Sequence, residues 1–512
     1  MAKTGLLICS NPFRVLRIVP QLQCDLLSTL YVHFFPTSIS DKKNIEPRFM
    51  MIDAYKNLNY TNVDVRVLLY GLKDTLDSRI ATKRPIDVIF YDDHIQTEQL
   101  NFVVSLLSNK SSNYKTVFIH PTEDTGSIDI KQNSQCNKIY ENVVLGGTFD
   151  RLHKGHKILL STAVLKCSKN LTVGVTDISM LKSKKLWELI EPCETRIKNV
   201  EEFLKDIYPT LEYNVLPIYD IYGPTVHDST FQMIILSDET LHGGELINNK
   251  RTKNGLKPLH ILPVALLKED KISNNLYCKE EEEKISSSNY RMRLLGTLLK
   301  PIQINKNIPE FPYIVGLTGG IASGKSSISN YLKELGAFII NADILAHELY
   351  GINCPAYQLI VDSFGSNILT LDNQIDRQKL GAIVFSDQDK LNQLNQIMWP
   401  LILQKVKSII ESKKEFKIIF VEAAVLLTAN WQSNFHEIWV SIIPLDEAVK
   451  RLKVRNNLNE KESFDRIKSQ PSNMEYIENA NVLFCTLWSF NCTHIQIKRA
   501  WNSLLTRVSK PQ

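Results

Sequence analysis

No stretch of the chain reaches the roughly 18–20 consecutive apolar residues that a membrane-spanning helix requires. No tight basic run stands out either. The net charge of +5, spread over 512 residues, therefore allows nucleic acid without arguing for it, and small anionic substrates fit equally well. The nine cysteines (Cys9, Cys24, Cys136, Cys167, Cys193, Cys278, Cys354, Cys485 and Cys492) contain no C-x-x-C pair, so neither a zinc ribbon nor a redox motif is indicated. Their odd number and irregular spacing favour reduced thiols in an intracellular compartment. Internal repeats and low-complexity tracts are also lacking. What remains is an ordinary globular balance, 44% hydrophobic and 22% charged. At roughly 150 residues per domain, the length suggests about three domains.

The first 35 residues carry Lys3, Arg14 and Arg17 against one acid, Asp25, among many apolar residues. They read either as a mitochondrial targeting or surface-binding segment or as the first strand and helix of a folded domain. Pro12 and Pro20 break any long amphipathic helix. Farther on, 62–71 and 86–93 read as buried strands, the stretch from Leu100 as a helix, and 114–121 as another strand. The first 140 residues are thus expected to form an α/β region without a catalytic constellation. Asp92 and Asp93 at a strand end read as a solvated loop, and the polar stretch 124–138 as a linker.

At Glu141 the pattern sharpens. "ENVVLGG" is a strand running into glycines, "GHKILLSTAVLKC" has helical spacing, and "LTVGVT" is the next strand. This βαβ unit of about 35 residues implies a parallel sheet with a right-handed crossover. A helix over 194–207 and strands over 211–218 and 231–237 follow. The run "KEEEEK", 279–284, reads as a solvated face, and "ISSSNYRMRLLGTLL" as a helix with serines in capping positions. The proline-bearing stretch 300–312 places a domain boundary. The expected domains are therefore 1–140, 141–300 and 312–512.

The last region opens with "GLTGGIASGKSS" between an apolar strand and a helix. Gly319, Gly324, Lys325 and Ser326 satisfy G-x-x-x-x-G-K-[ST] in the context this motif needs. The glycines let backbone N–H groups face a phosphate, and the helix adds its positive amino terminus. Lys325 reaches the β- and γ-phosphates, and the Ser326 hydroxyl ligates Mg²⁺. The nucleotide contacts expected here are Gly319, Gly320, Ile321, Ala322, Ser323, Gly324, Lys325, Ser326 and Ser327. Asp343, seventeen residues after Ser326 at the next strand end, suits the carboxylate that a small-molecule kinase sets near its acceptor hydroxyl, and suits equally a helix N-cap. Arg451, Arg455 and Arg466 cluster where a lid would close over the moving charge, though a solvated basic helix reads the same way. The N-K-x-D of a GTPase is lacking.

"GGTFDRLHKGH", 146–156, holds His153 and His156 three positions apart, with Gly155 between them opening a helix. A metal pair would need a third ligand nearby, and there is none. The loop instead aims two imidazoles and a helix amino terminus at one small anionic volume. "KISSSNYR" lies 128 residues after His156. Its Ser286, Ser287 and Ser288 can hold β- and γ-phosphates, with Lys284 and Arg291 supplying charge. The two elements are expected to share one nucleotide.

From residue 313 the motifs "GLTGGIASGKSS", "LGAFIINADILAHEL", "IMWPLI" and "VEAAVLLTANW" resemble the dephospho-CoA kinases. The resemblance implies Asp343 as base near the ribose 3′-hydroxyl, Arg377 near substrate, and Arg451 and Arg455 in the lid. It departs from the family at Asn341, where D-x-D is usual, and at Trp399, where bacterial members tend to have histidine. H-x-G-H, "TFD", the Lys182, Lys184, Lys185 cluster and the serine loop together resemble phosphopantetheine adenylyltransferases. That resemblance implies Gly146, Thr148, Phe149 and Gly155 at the nucleotide, Thr148, Lys182 and Arg196 at the acceptor phosphate, and Asn248 and Arg251 near the nucleotide. The order of the two is that of bifunctional coenzyme A synthases. It implies a Rossmann-like nucleotidyltransferase domain, then a P-loop kinase domain with a helical lid, both using ATP and the second Mg²⁺. It also implies a cytoplasmic or mitochondrial location (outer surface or matrix), with peripheral membrane association through the N-terminus and no nucleic-acid partner. The competing readings are a cytidylyltransferase-like domain fused to another small-molecule kinase, and a scaffold with two degenerate nucleotide pockets.

Overall fold

The computed structural model describes residues 3–10, 15, 27–35, 46–58, 63–74, 77–120, 138–269 and 278–509. The chain divides into two compact units, Met1–Lys271 with Glu282–Ser288, and Ile272–Glu281 with Asn289–Gln512.

The first unit holds two five-stranded sheets. One comprises β1 (Lys3–Cys9), β2 (Leu27–Phe34), β3 (Asp64–Leu68), β4 (Ile86–Tyr91) and β5 (Lys110–Phe118) in the order β3-β2-β1-β4-β5. The other comprises β6 (Tyr140–Gly147), β7 (Cys167–Thr176), β8 (Glu212–Ile218), β9 (Met233–Ser237) and β10 (His260–Val264) in the order β10-β9-β6-β7-β8. Every pairing is parallel. Read from the third strand of each, the two sheets have the same strand order, with the first strand central. The helices of the first unit include α1 (Pro47–Asn57), α2 (Thr97–Leu106), α3 (Lys154–Lys166), α4 (Cys193–Ile207) and α5 (Leu241–Lys253); α6 (Ser287–Leu294) begins at the end of this unit, and its residues from Asn289 on belong to the second. Helix α3 is apolar on nearly every side, and Lys157–Val164 are all buried. It belongs to one continuous apolar cluster that takes Val32, Phe34, Met51 and Val67 from the first sheet region and Leu145, Ile158, Val173 and Phe203 from the second.

The second unit has β11 (Tyr313–Gly319), β12 (Phe338–Asn341), β13 (Ile418–Glu422), β14 (Glu437–Ile442) and β15 (Val482–Cys485), all parallel, in the order β12-β13-β11-β14-β15. Its helices include α7 (Lys325–Glu334), α8 (Ala342–Glu348), α9 (Arg377–Phe385), α10 (Gln388–Ser412), α11 (Leu445–Asn456), α12 (Glu460–Lys468) and α13 (Phe490–Val508). Apolar β strands buried on both faces are the mark of parallel sheets covered by helices, and the α/β class follows from them.

Several sequence expectations change. Lys3–Cys9 is a central strand with Leu6, Leu7 and Ile8 fully buried, which is the folded-domain reading of that stretch. Residues 11–14 and 16–26 of the same segment, and 124–137 of the stretch read as a linker, lie outside the described residues. Asp92 is buried and its carboxylate accepts the His94 N–H at 3.0 Å, so only Asp93 fits the solvated loop. The boundary read at 300–312 moves upstream. Arg499 donates to the carbonyls of Arg293 and Leu295, and Gly296 N–H to that of Leu483, which ties this stretch to the second unit. The acidic run is not a plain solvated face, since Glu281 is buried against Arg293 at 2.6 Å. Cys278 and Cys492 form a disulfide, contrary to the expectation that all thiols are reduced.

His33 on β2 is 2% exposed, and neither ring nitrogen has a partner. Burial pulls its pKa down to about 4. A depressed histidine pKa gives stability that is complete above the unfolded value near 6.5 and is lost as pH falls toward the folded value. At pH 5 this costs about 2 kcal/mol. His33→Leu should therefore stabilise the chain more at pH 5 than at pH 7.5, by roughly that amount, in urea unfolding followed by circular dichroism. A pH-independent effect would contradict this account of His33.

Candidate active sites

The first site forms where β6 ends. Its neighbours are β7 on one side and β9 on the other, and a sheet whose order reverses at the central strand leaves a crevice at that strand's carboxyl end. Gly146 and Gly147 lead into Thr148 and Phe149, and the loop turns through left-handed backbone at Phe149 (φ 50°) and Arg151 (φ 48°). Asp150, fully buried, pins it by accepting Arg151 Nη1 at 2.9 Å and the Glu191 N–H at 3.1 Å. His153 then stands in the N-cap position of α3. Its ring stacks on that of His156, centroids 3.8 Å apart and planes 20° apart. A Cβ at Gly155 would lie 3.2 Å from the His153 ring, a tight contact that a small shift of the ring would have to relieve.

His153 is 8% exposed, whereas His156 is partly exposed. Burial, and then the charge of Lys184, pull its pKa down to about 3, so it is neutral at physiological pH. Its Nδ1 is buried without a hydrogen-bond partner. Phe149 packs 5.3 Å from it. The serine loop meets this turn: Ser287 Oγ donates to the Asp150 carbonyl at 3.1 Å and lies 3.3 Å from His153 Nε2. The two sequence elements 128 residues apart are thus in contact. Ser286 and Ser288 flank Ser287 and are partly exposed. Lys284 is ion-paired with Glu239, in the turn after β9, and with Glu282 at 3.3 Å. Lys182 is exposed on the loop after β7.

Three expected contacts have other employment. Arg196 is 1% exposed and spends its guanidinium on the carbonyls of Glu191, Thr148 and Thr176, at 2.7, 2.7 and 2.8 Å. It shapes the Thr148 turn rather than facing an acceptor phosphate. Arg251 is fully buried and donates to the carbonyls of Lys257, Thr225 and Asp228. Asn248 brackets Leu259, donating to its carbonyl at 3.0 Å and accepting its N–H at 2.7 Å. Both hold the approach to β10. Arg291 is 2% exposed.

The second site forms where β11 ends. Gly319 has φ 147°, and a Cβ there would fall 2.1 Å from the Ser441 carbonyl, so only glycine fits. The loop curls through Gly320, Ile321, Ala322 (φ 61°) and Ser323 to Gly324, and α7 starts at Lys325. Lys325 Nζ donates to the Gly319 and Gly320 carbonyls at 2.8 and 3.1 Å. Burial pulls its pKa down, while Asp343 and Glu422 favour its charge. Gln470 accepts the Ile321 N–H at 2.6 Å. Beside the loop lies a cleft of about 610 Å³, lined by Gly324–Ser327, Asp343, Glu422, Arg451 and Arg455 among others.

Glu422 was not singled out from the sequence, although an apolar strand ending in an acid, "IIFVE", is a readable signal. It is 4% exposed and accepts Ser326 Oγ at 3.0 Å, Ser329 Oγ at 2.8 Å and Asn341 Nδ2 at 3.2 Å. Asn341 also caps α8, its side chain accepting the Ile344 N–H at 3.0 Å. The N-cap alternative for Asp343 therefore belongs to Asn341, and Asp343 is left exposed in the first turn, lining the cleft. An amide at 341 can donate to Glu422, which a carboxylate could not do without a proton.

Arg451 is only partly a lid cation. It grips Glu447 at 3.0 Å, the Ala322 carbonyl at 3.1 Å, and Thr486 at 2.9 Å (Oγ1) and 2.6 Å (carbonyl), which braces the loop from behind. Arg455, one turn on, is exposed at the cleft. Arg377 is the exposed first residue of α9 and is not among the residues lining that cleft. Trp399 precedes Pro400 inside α10.

The profile of the dephospho-CoA kinase family matches residues 313–486, and that of the cytidylyltransferase-like family residues 144–293. The dephospho-CoA kinase of Carboxydothermus hydrogenoformans is 42% identical over 186 residues, which are 36% of this chain and 90% of that protein. The phosphopantetheine adenylyltransferase of Saccharomyces cerevisiae is 33% identical over 230 residues, 42% of this chain and 72% of that one. Among solved structures, the dephospho-CoA kinase of Campylobacter jejuni is matched at 24% identity over 38% of this chain and 98% of that one, with a TM-score of 0.31. With so much of both curated relatives covered by separate parts of one sequence, the chain belongs to the phosphopantetheine adenylyltransferases and the dephospho-CoA kinases alike.

Proposed function

We propose that the chain catalyses two successive steps of coenzyme A synthesis. The first transfers the adenylyl group of ATP to 4′-phosphopantetheine, giving dephospho-CoA and pyrophosphate. The second transfers the γ-phosphoryl group of another ATP to the ribose 3′-hydroxyl of dephospho-CoA, giving CoA. The observation that carries the first is the contact of Ser287 with His153, which joins the histidine turn to the serine loop as one phosphate-binding surface. The second is supported by the Ser326–Glu422 pair and the exposed Asp343 in one cleft.

In the first step a phosphate oxygen of the acceptor attacks the α-phosphorus in line, the bond to the pyrophosphate oxygen breaks, and no enzyme nucleophile intervenes. His153, His156 and the amino terminus of α3 face the charge that develops on the α-phosphate. His156 acts as a neutral imidazole, offering a hydrogen bond rather than a full charge. Thr148 and Lys182 stand at the acceptor end, and Lys284 with Ser286, Ser287 and Ser288 at the leaving pyrophosphate. In the second step Asp343 orients the 3′-hydroxyl and takes its proton, while Lys325, the loop N–H groups and Arg455 hold the transferring group. Arg451 contributes by fixing the loop. Ser326 and Glu422 offer an all-oxygen pair that suits Mg²⁺, which when bound with ATP neutralises charge on the β- and γ-phosphates.

The two half-reactions separate the roles. His156→Ala should lower pyrophosphate release from 4′-phosphopantetheine and ATP by about 10²–10³-fold and leave phosphorylation of supplied dephospho-CoA intact. Asp343→Asn should do the reverse, with dephospho-CoA accumulating as the kinase rate falls by about 10²–10⁴-fold. Loss of both activities in either variant, or of neither, would defeat the assignment. Glu422→Gln should raise the Mg²⁺ concentration for half-maximal kinase rate by about tenfold or more, read from a metal titration. An unchanged midpoint would remove Glu422 from the metal site.

A further inference from the structure

Helix α3 carries the histidine pair at its amino end, yet much of what grips it comes from residues before 140. At its first turn, Lys157, 8% exposed and adjacent to His156, donates to Asp64 Oδ1 at 2.5 Å and to the Val65 carbonyl at 2.8 Å. At its last turn, Lys73 donates to the Val164 and Cys167 carbonyls at 2.8 and 2.5 Å. The Val164 carbonyl, in the last turn, also accepts the N–H of the capping Cys167, so Lys73 adds a second donor where the helix ends. Glu46 pairs with Lys166 at 3.5 Å. The same strand also grips α4. Arg66 donates to Asp206 at 2.5 Å, an acid with a fully buried side chain that also accepts Tyr31 Oη at 2.7 Å and the Lys83 N–H at 2.7 Å. Arg66 in turn holds Asp64 through Nε at 2.8 Å. Helix α4 bears Arg196, which shapes the Thr148 turn.

We propose that the β1–β5 sheet region forms part of the adenylyl-transfer site as its scaffold, with Asp64, Arg66 and Lys73 as positioning residues that set the register of α3 and α4. The inference rests on the reading of His153 and His156 given above. The geometry argues for a specific device rather than general packing. A buried, mutually bonded set of charges has few acceptable arrangements, whereas apolar contacts slide. Burial opposes the charge on Asp64, but Lys157 and Arg66 outweigh it and hold its pKa down to about 2, so Asp64 itself is charged at any working pH. Stacked imidazoles 3.8 Å apart at the end of a helix have little tolerance for rotation of that helix. A displacement of about 1 Å in a positioned catalytic group costs on the order of 10²-fold.

The test uses the full chain and the two half-reactions. Asp64→Asn and Lys73→Met should each lower kcat for pyrophosphate release by roughly 10- to 100-fold, with KM for ATP changed by less than about threefold, because the phosphate contacts themselves are kept. Phosphorylation of supplied dephospho-CoA should stay near wild type. Lys157→Arg, which keeps the charge, should retain most of the activity. Rates are expressed per folded chain, from thermal unfolding at the assay temperature, so that mere instability does not register. Where Asp64→Asn unfolds, Lys73→Met carries the same test without disturbing a buried acid. Variants with wild-type kcat per folded chain would overturn the scaffold proposal alone. Wild-type chain that releases no pyrophosphate would overturn the underlying reading and the scaffold with it.

Discussion

Both sites depend on one physical arrangement, a helix amino terminus set at the carboxyl end of a central parallel strand. Free N–H groups and the aligned peptide dipoles make that point electropositive without a single side chain. Strand β6 delivers α3, and β11 delivers α7. Parallel sheets with helical crossovers produce this junction of necessity. An order that places the first strand in the centre opens a crevice just there. The chain repeats the arrangement and then finishes it in two ways. After β6, two stacked imidazoles and a serine loop complete the surface. After β11, the backbone itself wraps the phosphate and a lysine follows.

The difference suits the two bond changes. An adenylyl transfer needs donors around an α-phosphate approached by another phosphate, where an added full positive charge is less useful than placement. Burial keeps His156 neutral, which suits it to that role in the proposed reaction. A γ-phosphoryl transfer to a hydroxyl needs a base and a concentrated cationic environment. Asp343, Lys325, Arg455 and the Ser326–Glu422 pair line one cleft, which fits the proposed transfer. Asn341, a departure from the usual kinase pattern, becomes intelligible as a cap for α8 that also donates to Glu422.

Much of this was readable in the residues. The glycine-rich loop, the H-x-G-H turn and the serine loop each state their chemistry, and the apolar strands before them state the fold. Arginine was the unreliable witness. A guanidinium carries five donors that serve buried carbonyls as well as phosphates. Sequence does not tell Arg196, Arg251 and Arg451, which brace main chain, from Arg455, which faces the cleft. Glu422 was passed over because an acid at a strand end is common; only its three donors reveal its place. Asp64 opens β3 and Lys157 lies on α3, 93 residues away, so no local pattern could pair them. The cluster that spans both sheets of the first unit was invisible for the same reason.

The most direct measurement is mass spectrometry of the products formed by the purified chain from 4′-phosphopantetheine, ATP and Mg²⁺, with pyrophosphate and ADP quantified alongside. The account predicts CoA, with one pyrophosphate and one ADP released for each molecule made. Failure to form dephospho-CoA, or formation of a cytidylyl product when CTP is supplied in place of ATP, would contradict it.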